Sequence, residues 1–268
     1  MAEPDPSAPP APVSCYIRAQ DEAARIAEVV TAALTAAAEV VVVDSGSIDD
    51  TQALAEAAGA RVVAQPWLGN GRQKRAGEDA CRHDWLLDLD ADEVVSPELA
   101  AEIRALFANG APDRPVYALR LVTQPPYGPR WDRAAVAWRT KLYDRRRLRA
   151  PDHAAWDQLE LPKGLKPGRL RGALVHHSFT GVEHLMRKLN RVSGVRAREA
   201  RLKPYWAVVA RVVVAFPIYF LKHWLQRGLW RAGLYGFAVA MVSAQGRWLR
   251  DVKMLERHWD RRRDASRA

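Results

Sequence analysis

Asp84-Trp-Leu-Leu-Asp-Leu-Asp-Ala-Asp-Glu93 decides how the rest of the chain is read. Trp85 to Leu89 reads as a strand whose apolar start, Trp85-Leu-Leu, runs into acid: Asp88, Asp90, Asp92 and Glu93 fall within six residues. Strand geometry puts Asp88, Asp90 and Asp92 on one face. So much like charge in one place is unfavourable unless a cation or a hydrogen-bond network compensates it. An all-oxygen set suits a hard divalent metal, Mg²⁺ or Mn²⁺, and Mg²⁺ is commonly held by one or two carboxylates together with substrate phosphates. A solvated strand end is the bland alternative for a single Asp-x-Asp. A cluster placed directly after an apolar run favours a site.

Towards the N-terminus, strands and helices alternate. Gln73 to Cys81 reads as a helix and Arg61 to Gln65 as a strand. Thr51 to Ala58 is a helix, capped by Asp49 or Asp50 and closed by Gly59. Glu39-Val-Val-Val-Val is a continuous β-branched run, the mark of a strand buried on both faces. It ends at the turn Asp44-Ser-Gly-Ser. Asp21-Glu22 is expected to open an Ala-rich helix reaching about Ala38, acids first as the macrodipole prefers. Val13 to Arg18 is the first strand. This alternation implies an α/β fold with a mostly parallel sheet. Ligands of such sheets bind at the carboxyl ends of the strands. Asp44 and Asp90 both sit at such ends, so the two motifs are expected to converge on one pocket.

Towards the C-terminus, Ser96 caps a helix over Pro97 to Phe107, and Asn109-Gly110-Ala-Pro closes the first half. Val116 to Val122, Ala135 to Tyr143 and Leu170 to Val175 read as strands of a mixed second part, the last leading into His176-His177-Ser178. Glu183 to about Leu202 is a helix with Lys and Arg on its polar face. Trp206 to Leu221 is almost wholly apolar, broken by Arg211 and Pro217. Its sixteen residues fall short of the roughly 20 that a spanning helix needs. Its flanks are rich in Trp, Tyr, Lys and Arg, which favour a bilayer interface, so a monotopic element lying on the membrane surface is expected over a buried core helix. Arg257 to Arg267 reads as a solvated basic tail.

Composition adds an asymmetry. The net charge of +10 conceals −11 over residues 1–110 (8 basic, 19 acidic) and +21 over residues 111–268 (33 basic, 12 acidic). A basic segment binds nucleic acid, anionic lipid or phosphorylated substrate. Two cysteines, Cys15 and Cys81, make no disulfide framework; each is expected to be a small buried residue of a protein in a reducing compartment. Met1 to Pro12 is Pro/Ala-rich and acidic, expected as a disordered tail and not a secretory signal.

These motifs resemble those of the family 2 glycosyltransferases with the GT-A fold. Val41-Val-Val-Asp-Ser-Gly-Ser-Ile-Asp-Asp-Thr is similar to their first nucleotide-sugar motif, and Trp85-Leu-Leu-Asp-Leu-Asp-Ala-Asp-Glu to their Asp-x-Asp strand end. Trp67-Leu-Gly-Asn-Gly-Arg-Gln-Lys-Arg-Ala looks like the segment between them. Trp138-Arg-Thr-Lys-Leu-Tyr-Asp-Arg-Arg, Leu170-Arg-Gly-Ala-Leu-Val-His-His-Ser-Phe and Lys188-Leu-Asn-Arg resemble the lipopolysaccharide-core β-1,4-glucosyltransferase-like subgroup. The resemblance covers roughly residues 13 to 250. It implies a Rossmann-like sheet with helices on both faces over 13–182, the nucleotide-sugar half being 13–110 and the acceptor half 111–182. The charge balance and the aromatic-flanked apolar segment make 183–268 a basic helical region expected to associate with membranes.

The resemblance also implies roles. Asp44 would contact the base or ribose of a UDP-sugar, and Glu22 would line the nucleotide pocket. Asp90 would face the ribose and a metal-bound water, and Lys74 would counter phosphate charge. Asp92 would ligate the Mg²⁺ or Mn²⁺, with His176 completing its shell. Asp157 would be the catalytic base, with Asp152 or Glu160 in its place if the match shifts by a few residues. Two departures from the family pattern stand out: Asp21 where Asn usually precedes the Glu, and Trp156-Asp157 where the subgroup shows His-Glu.

The implied reaction is inverting transfer of a sugar, glucose for this subgroup, to an anionic glycolipid or lipopolysaccharide-core acceptor at the cytoplasmic face of the inner membrane. A polyprenyl-phosphate acceptor is the alternative. A basic nucleic-acid-binding protein is the more remote one: Arg145-Arg146-Arg147 permits it, but no recognition helix, zinc or stacking signature accompanies it, so no nucleic acid partner is expected. A nucleotidyltransferase would want a Gly-rich phosphate loop, which Arg18-Ala-Gln-Asp-Glu lacks.

Overall fold

The computed structural model describes residues 10–267, so residues 1–9 of the expected tail lie outside the described residues. The chain divides into two compact units, Met1–Val122 with Ala137–His176, and Thr123–Val136 with His177–Ala268.

The first unit is built on one eight-stranded sheet. Its strands are β1 (Ala11–Ala19), β2 (Ala37–Asp44), β3 (Arg61–Ala64), β4 (Trp85–Asp90), β5 (Glu93–Val95), β6 (Val116–Thr123), β7 (Ala137–Asp144) and β8 (Gly168–His176). They lie in the order β3-β2-β1-β4-β7-β6-β8-β5. The pairs β2/β3, β1/β2 and β1/β4 are parallel; β4/β7, β6/β7 and β5/β8 are antiparallel. The parallel part is therefore the nucleotide half expected from the βα alternation, and the second half turns the sheet mixed. The helices are α1 (Ile26–Leu34), α2 (Thr51–Ala57), α3 (Asn70–Ala80) and α4 (Pro97–Phe107). Val40 to Val43 are buried on both faces of β2, as the uninterrupted β-branched run required. Ser96 caps α4, its hydroxyl accepting from the Leu99 amide. A Cβ at Gly172 would fall 2.4 Å from the Leu99 backbone, so glycine lets β8 lie tight against α4.

Three local expectations are corrected. The helix expected from Asp21 begins only at Ile26 and ends at Leu34. Asp21 instead takes a left-handed conformation (φ 54°) and braces the loop after β2: its amide donates to Ser47 Oγ and its carboxylate accepts from the Ile48 amide. The third helix starts at Asn70, three residues before its expected start. Strand β5 was not expected at all, and only its pairing with β8 makes three residues a strand.

The second unit holds α5 (Val182–Glu199), α6 (Tyr205–Leu221) and α7 (Gly233–Ala265). The basic stretch from Arg257, expected as a solvated tail, forms the last turns of the 33-residue α7. Helix α6 runs on through a π-helical turn to Gln226, giving 22 residues, long and apolar enough to cross a membrane by length and composition, where sixteen were expected. Only 17% of its most apolar stretch is buried. The charge that interrupts it is accounted for: Arg211 pairs at 3.0 Å with Asp251 of α7, a fully buried carboxylate that also accepts from the Tyr219 hydroxyl at 2.6 Å. One face of α6 is thus fastened to α7 by a satisfied polar network. The other is bare, with Val213 73% and Trp206 74% exposed.

Candidate active site

Strand β1 runs between β2 and β4, and its last residues hold the site in register: Ala19 lies beside Asp44 and Arg18 beside Asp90. The two motifs therefore do end at one edge of the parallel sheet. Asp44, however, is fully buried. Its carboxylate accepts from the Gly46 and Ser47 amides at 2.9 Å, from the Ser47 hydroxyl and from Gln52 Nε2 at 2.8 Å. Burial would raise this carboxyl, but those donors hold it below its ordinary value. In this arrangement Asp44 shapes the loop, three of the donors meeting Oδ2 and only the Ser47 hydroxyl meeting Oδ1. Glu22 lies at the same loop, its amide donating to Thr51 Oγ1 at 2.8 Å.

Beside that loop the acidic run meets three cations. Lys74 of α3 pairs with Asp88 at 2.6 Å, and both are buried. Lys141 of β7 pairs with Glu93 at 2.6 Å, lies 3.6 Å from Asp90 and donates to the Asp88 carbonyl at 3.2 Å. Arg18 pairs with Asp90 and lies 3.4 Å from Asp157. Burial would raise the Asp90 carboxyl, yet Lys141, Arg18 and Lys74 override it and hold it far below the carboxylate range. Lys141 is kept charged, against burial, by Glu93, Asp88 and Asp90. Glu93 goes the other way, pushed up to about 7 by burial and by the neighbouring Asp90 charge, in spite of Lys141. Cations of the chain itself thus compensate Asp88 and Asp90, the part of the cluster first read as wanting a metal. Lys74, expected to face phosphate, is already engaged by Asp88. Two buried polar atoms here lack a partner, Asp88 Oδ1 and Arg18 Nε.

Asp157 closes the cluster from another segment. It lies 3.5 Å from Lys74 and, with Lys74, Asp88, Trp138, Lys141 and Arg169, lines a cavity of about 210 Å³. The alternatives stand elsewhere: Asp152 is solvent-exposed and paired with Arg72 at 2.8 Å, and Glu160 is exposed. Segment 151–157 is held by the start of α3, where the Asn70 and Gly71 amides donate to the Ala154 and His153 carbonyls. A Cβ at Gly71 would lie 2.3 Å from the Pro151 carbonyl oxygen and 2.5 Å from that of Trp156. Gly71→Ala must therefore push this segment away. A displacement on the 1 Å scale is expected to lower turnover by on the order of 10²-fold, at a stability cost of about 1–3 kcal/mol. Turnover and urea unfolding of the same variant check both.

Asp92 leaves β4 and sits in the turn to β5, so it does not share the strand face with Asp88 and Asp90. The β5/β8 pairing sets Glu93 beside His176, and His176 Nε2 comes to 3.1 Å from Asp92 Oδ2, both side chains about one quarter exposed. Among the described residues no group of three or more His, Cys, Asp or Glu could hold a metal. An oxygen–imidazole pair with an open side still fits a divalent cation that takes its other ligands from phosphate and water. Arg18 and Lys141 were not singled out from sequence, and Glu93 was read only as a member of the acidic run. Lys141 carried a signal, being a charge that immediately precedes the buried pair Leu142-Tyr143.

Comparison with known proteins gives the architecture its family. The model of glycosyl transferase family 2 matches residues 14–159. An uncharacterized glycosyltransferase of Rickettsia felis is 33% identical over 91% of this chain and 89% of its own. Another from Rickettsia bellii is 32% identical over 91% and 86%. The lipopolysaccharide core biosynthesis glycosyltransferase LpsC of Rhizobium meliloti is 29% identical over 93% of this chain and 94% of its own. With the Asp-Ser-Gly loop and the Asp-x-Asp strand end at one edge of a Rossmann-like sheet, the chain belongs to the family 2 glycosyltransferases and is a transferase of GT-A fold.

Proposed function

We propose that this transferase moves a sugar, glucose by its subgroup resemblance, from a UDP-sugar to a lipopolysaccharide-core or related anionic glycolipid acceptor at the cytoplasmic face of the inner membrane. The observation that carries this reading is the convergence of Asp157, from segment 151–157, with Arg18, Lys74 and Asp90 at the parallel strand ends. Asp157 takes the proton of the acceptor hydroxyl as that oxygen attacks the anomeric carbon. A single displacement inverts that centre, so an α-linked donor yields a β-glycoside. Asp92 and His176 would hold a divalent cation, which when bound would offset the charge developing on the departing diphosphate. Arg18 and Lys141 keep Asp90 ionised at the nucleotide edge. The loop shaped by Asp44 and braced by Asp21 and Glu22 forms the wall for the nucleotide.

The membrane part of the reading rests on α6. A 22-residue apolar helix fastened along one face and bare along the other suits the plane of the interface better than its interior. Similarity to a lipopolysaccharide core glycosyltransferase supports the acceptor class. The test is transfer of labelled sugar from UDP-sugars, with and without Mn²⁺, to truncated lipopolysaccharide-core acceptors in membrane vesicles. Metal-dependent label in the glycolipid fraction is expected. Label in polyprenyl phosphate instead would replace the acceptor, and no label from any UDP-sugar would remove the donor.

A further inference from the structure

The second unit contains a cavity of about 840 Å³, within the size range of sites for small ligands. Tyr127, Arg130, Arg133, Trp230, Arg231 and Tyr235 are among the residues lining it. Their charges are unequally answered. Arg130 is gripped by both oxygens of Asp132 at 3.1 Å. Arg231 lies 4.4 Å over the ring of Trp230, a contact that leaves the edge of the guanidinium free to donate. Arg133 is exposed and forms no ion pair among the described residues. The Tyr235 ring meets Tyr127 edge-on at 5.6 Å, and its hydroxyl is buried without a hydrogen-bond partner. The walls are anchored, since the Ala135 amide donates to the Arg227 carbonyl at 2.7 Å.

Aromatic faces that can take the apolar side of a sugar ring, two arginines without carboxylates and an unanswered hydroxyl suit one kind of ligand, a phosphorylated sugar. The chain just beyond Trp230 points to the source of that sugar. Helix α7 opens with Leu234, 85% exposed, and carries Phe237 exposed one turn on. We propose that this cavity takes the phosphorylated sugar headgroup of a glycolipid whose acyl chains lie against Leu234 and Phe237. This deepens the proposed function, on whose membrane-side acceptor it rests.

The test uses the full chain and the Arg133→Gln/Arg231→Gln double variant, both positions being on the surface. Binding is measured by co-sedimentation with phosphatidylcholine vesicles carrying lipid A, dephosphorylated lipid A, or phosphatidylglycerol at matched charge. Soluble glucosamine 1-phosphate serves as competitor. The wild type is expected to prefer lipid A over both other vesicles by about tenfold, the double variant to lose that preference, and the competitor to have little effect. Equal binding to phosphatidylglycerol, lost equally in the variant, would overturn the headgroup site in favour of general surface charge. Full competition by glucosamine 1-phosphate would overturn the lipid as its source. Thermal stabilisation by UDP-sugar, read on the same samples, separates the two failures: if it persists while the lipid A preference is absent, the cavity proposal falls and the donor reading stands.

Discussion

Asp92→Ala is expected to lower turnover by about a thousandfold or more, the scale of several kcal/mol of lost charge stabilisation in the transition state. It is also expected to abolish the Mn²⁺-dependent part of donor binding. The fold should hardly notice. Asp92 sits in a turn, about one quarter exposed, and its partner is a similarly exposed histidine. A pair of that kind contributes on the order of 1 kcal/mol or less, which for a chain of this size is a Tm change of about 2–4 °C. Loss of turnover with a near-unchanged Tm is therefore the signature of a ligand and not of a structural carboxylate. His176→Ala should change in the same direction with a smaller loss, about 10- to 100-fold. Donor titrations by thermal shift, with and without Mn²⁺, measure the binding arm. If Asp92→Ala keeps wild-type metal-dependent stabilisation, the metal assignment is wrong and the cluster at Asp88 and Asp90 must be reconsidered.

The need to separate those two sets of carboxylates also explains what could be read from sequence. Val40 to Val43 declared a central strand because β-branched residues without polar alternation fit only a strand covered on both faces. The Asp44 and Asp90 strand ends came from the βα alternation, as did their shared edge. Their charge balance did not. Asp88 and Asp90 are neutralised by Lys74, Lys141 and Arg18, which come from α3, β7 and β1. Nothing local marks such pairings. A carboxylate read alone looks like a metal ligand, and read beside a buried lysine it is half of an ion pair. Position within a turn had the same effect at Asp21, whose charge fits a helix start but whose backbone and side chain instead lock the loop after β2. Asp92 stands beside His176 because β5 and β8 join them across 84 residues. The two were linked beforehand only by resemblance, since strand period says nothing about a partner so far along the chain.

Asp157→Asn separates proton transfer from everything else the site does. The amide keeps the volume and one acceptor oxygen but cannot take a proton, so turnover is expected to fall by about 10²–10⁴-fold, the range for a positioned general base. Donor affinity should stay within about threefold of wild type, because Asp157 reaches the cluster through Arg18 at 3.4 Å and Lys74 at 3.5 Å, neither of which depends on it alone. Arg18 retains Asp90, and Lys74 retains Asp88. The parallel variants Asp152→Asn and Glu160→Gln should remain close to wild type, since both residues are exposed and Asp152 is committed to Arg72. Near-normal turnover in Asp157→Asn, with a large loss in either parallel variant, would move the base along segment 151–160. Loss of donor binding together with turnover would make Asp157 a support of the nucleotide pocket and leave the acceptor hydroxyl to be deprotonated by another group.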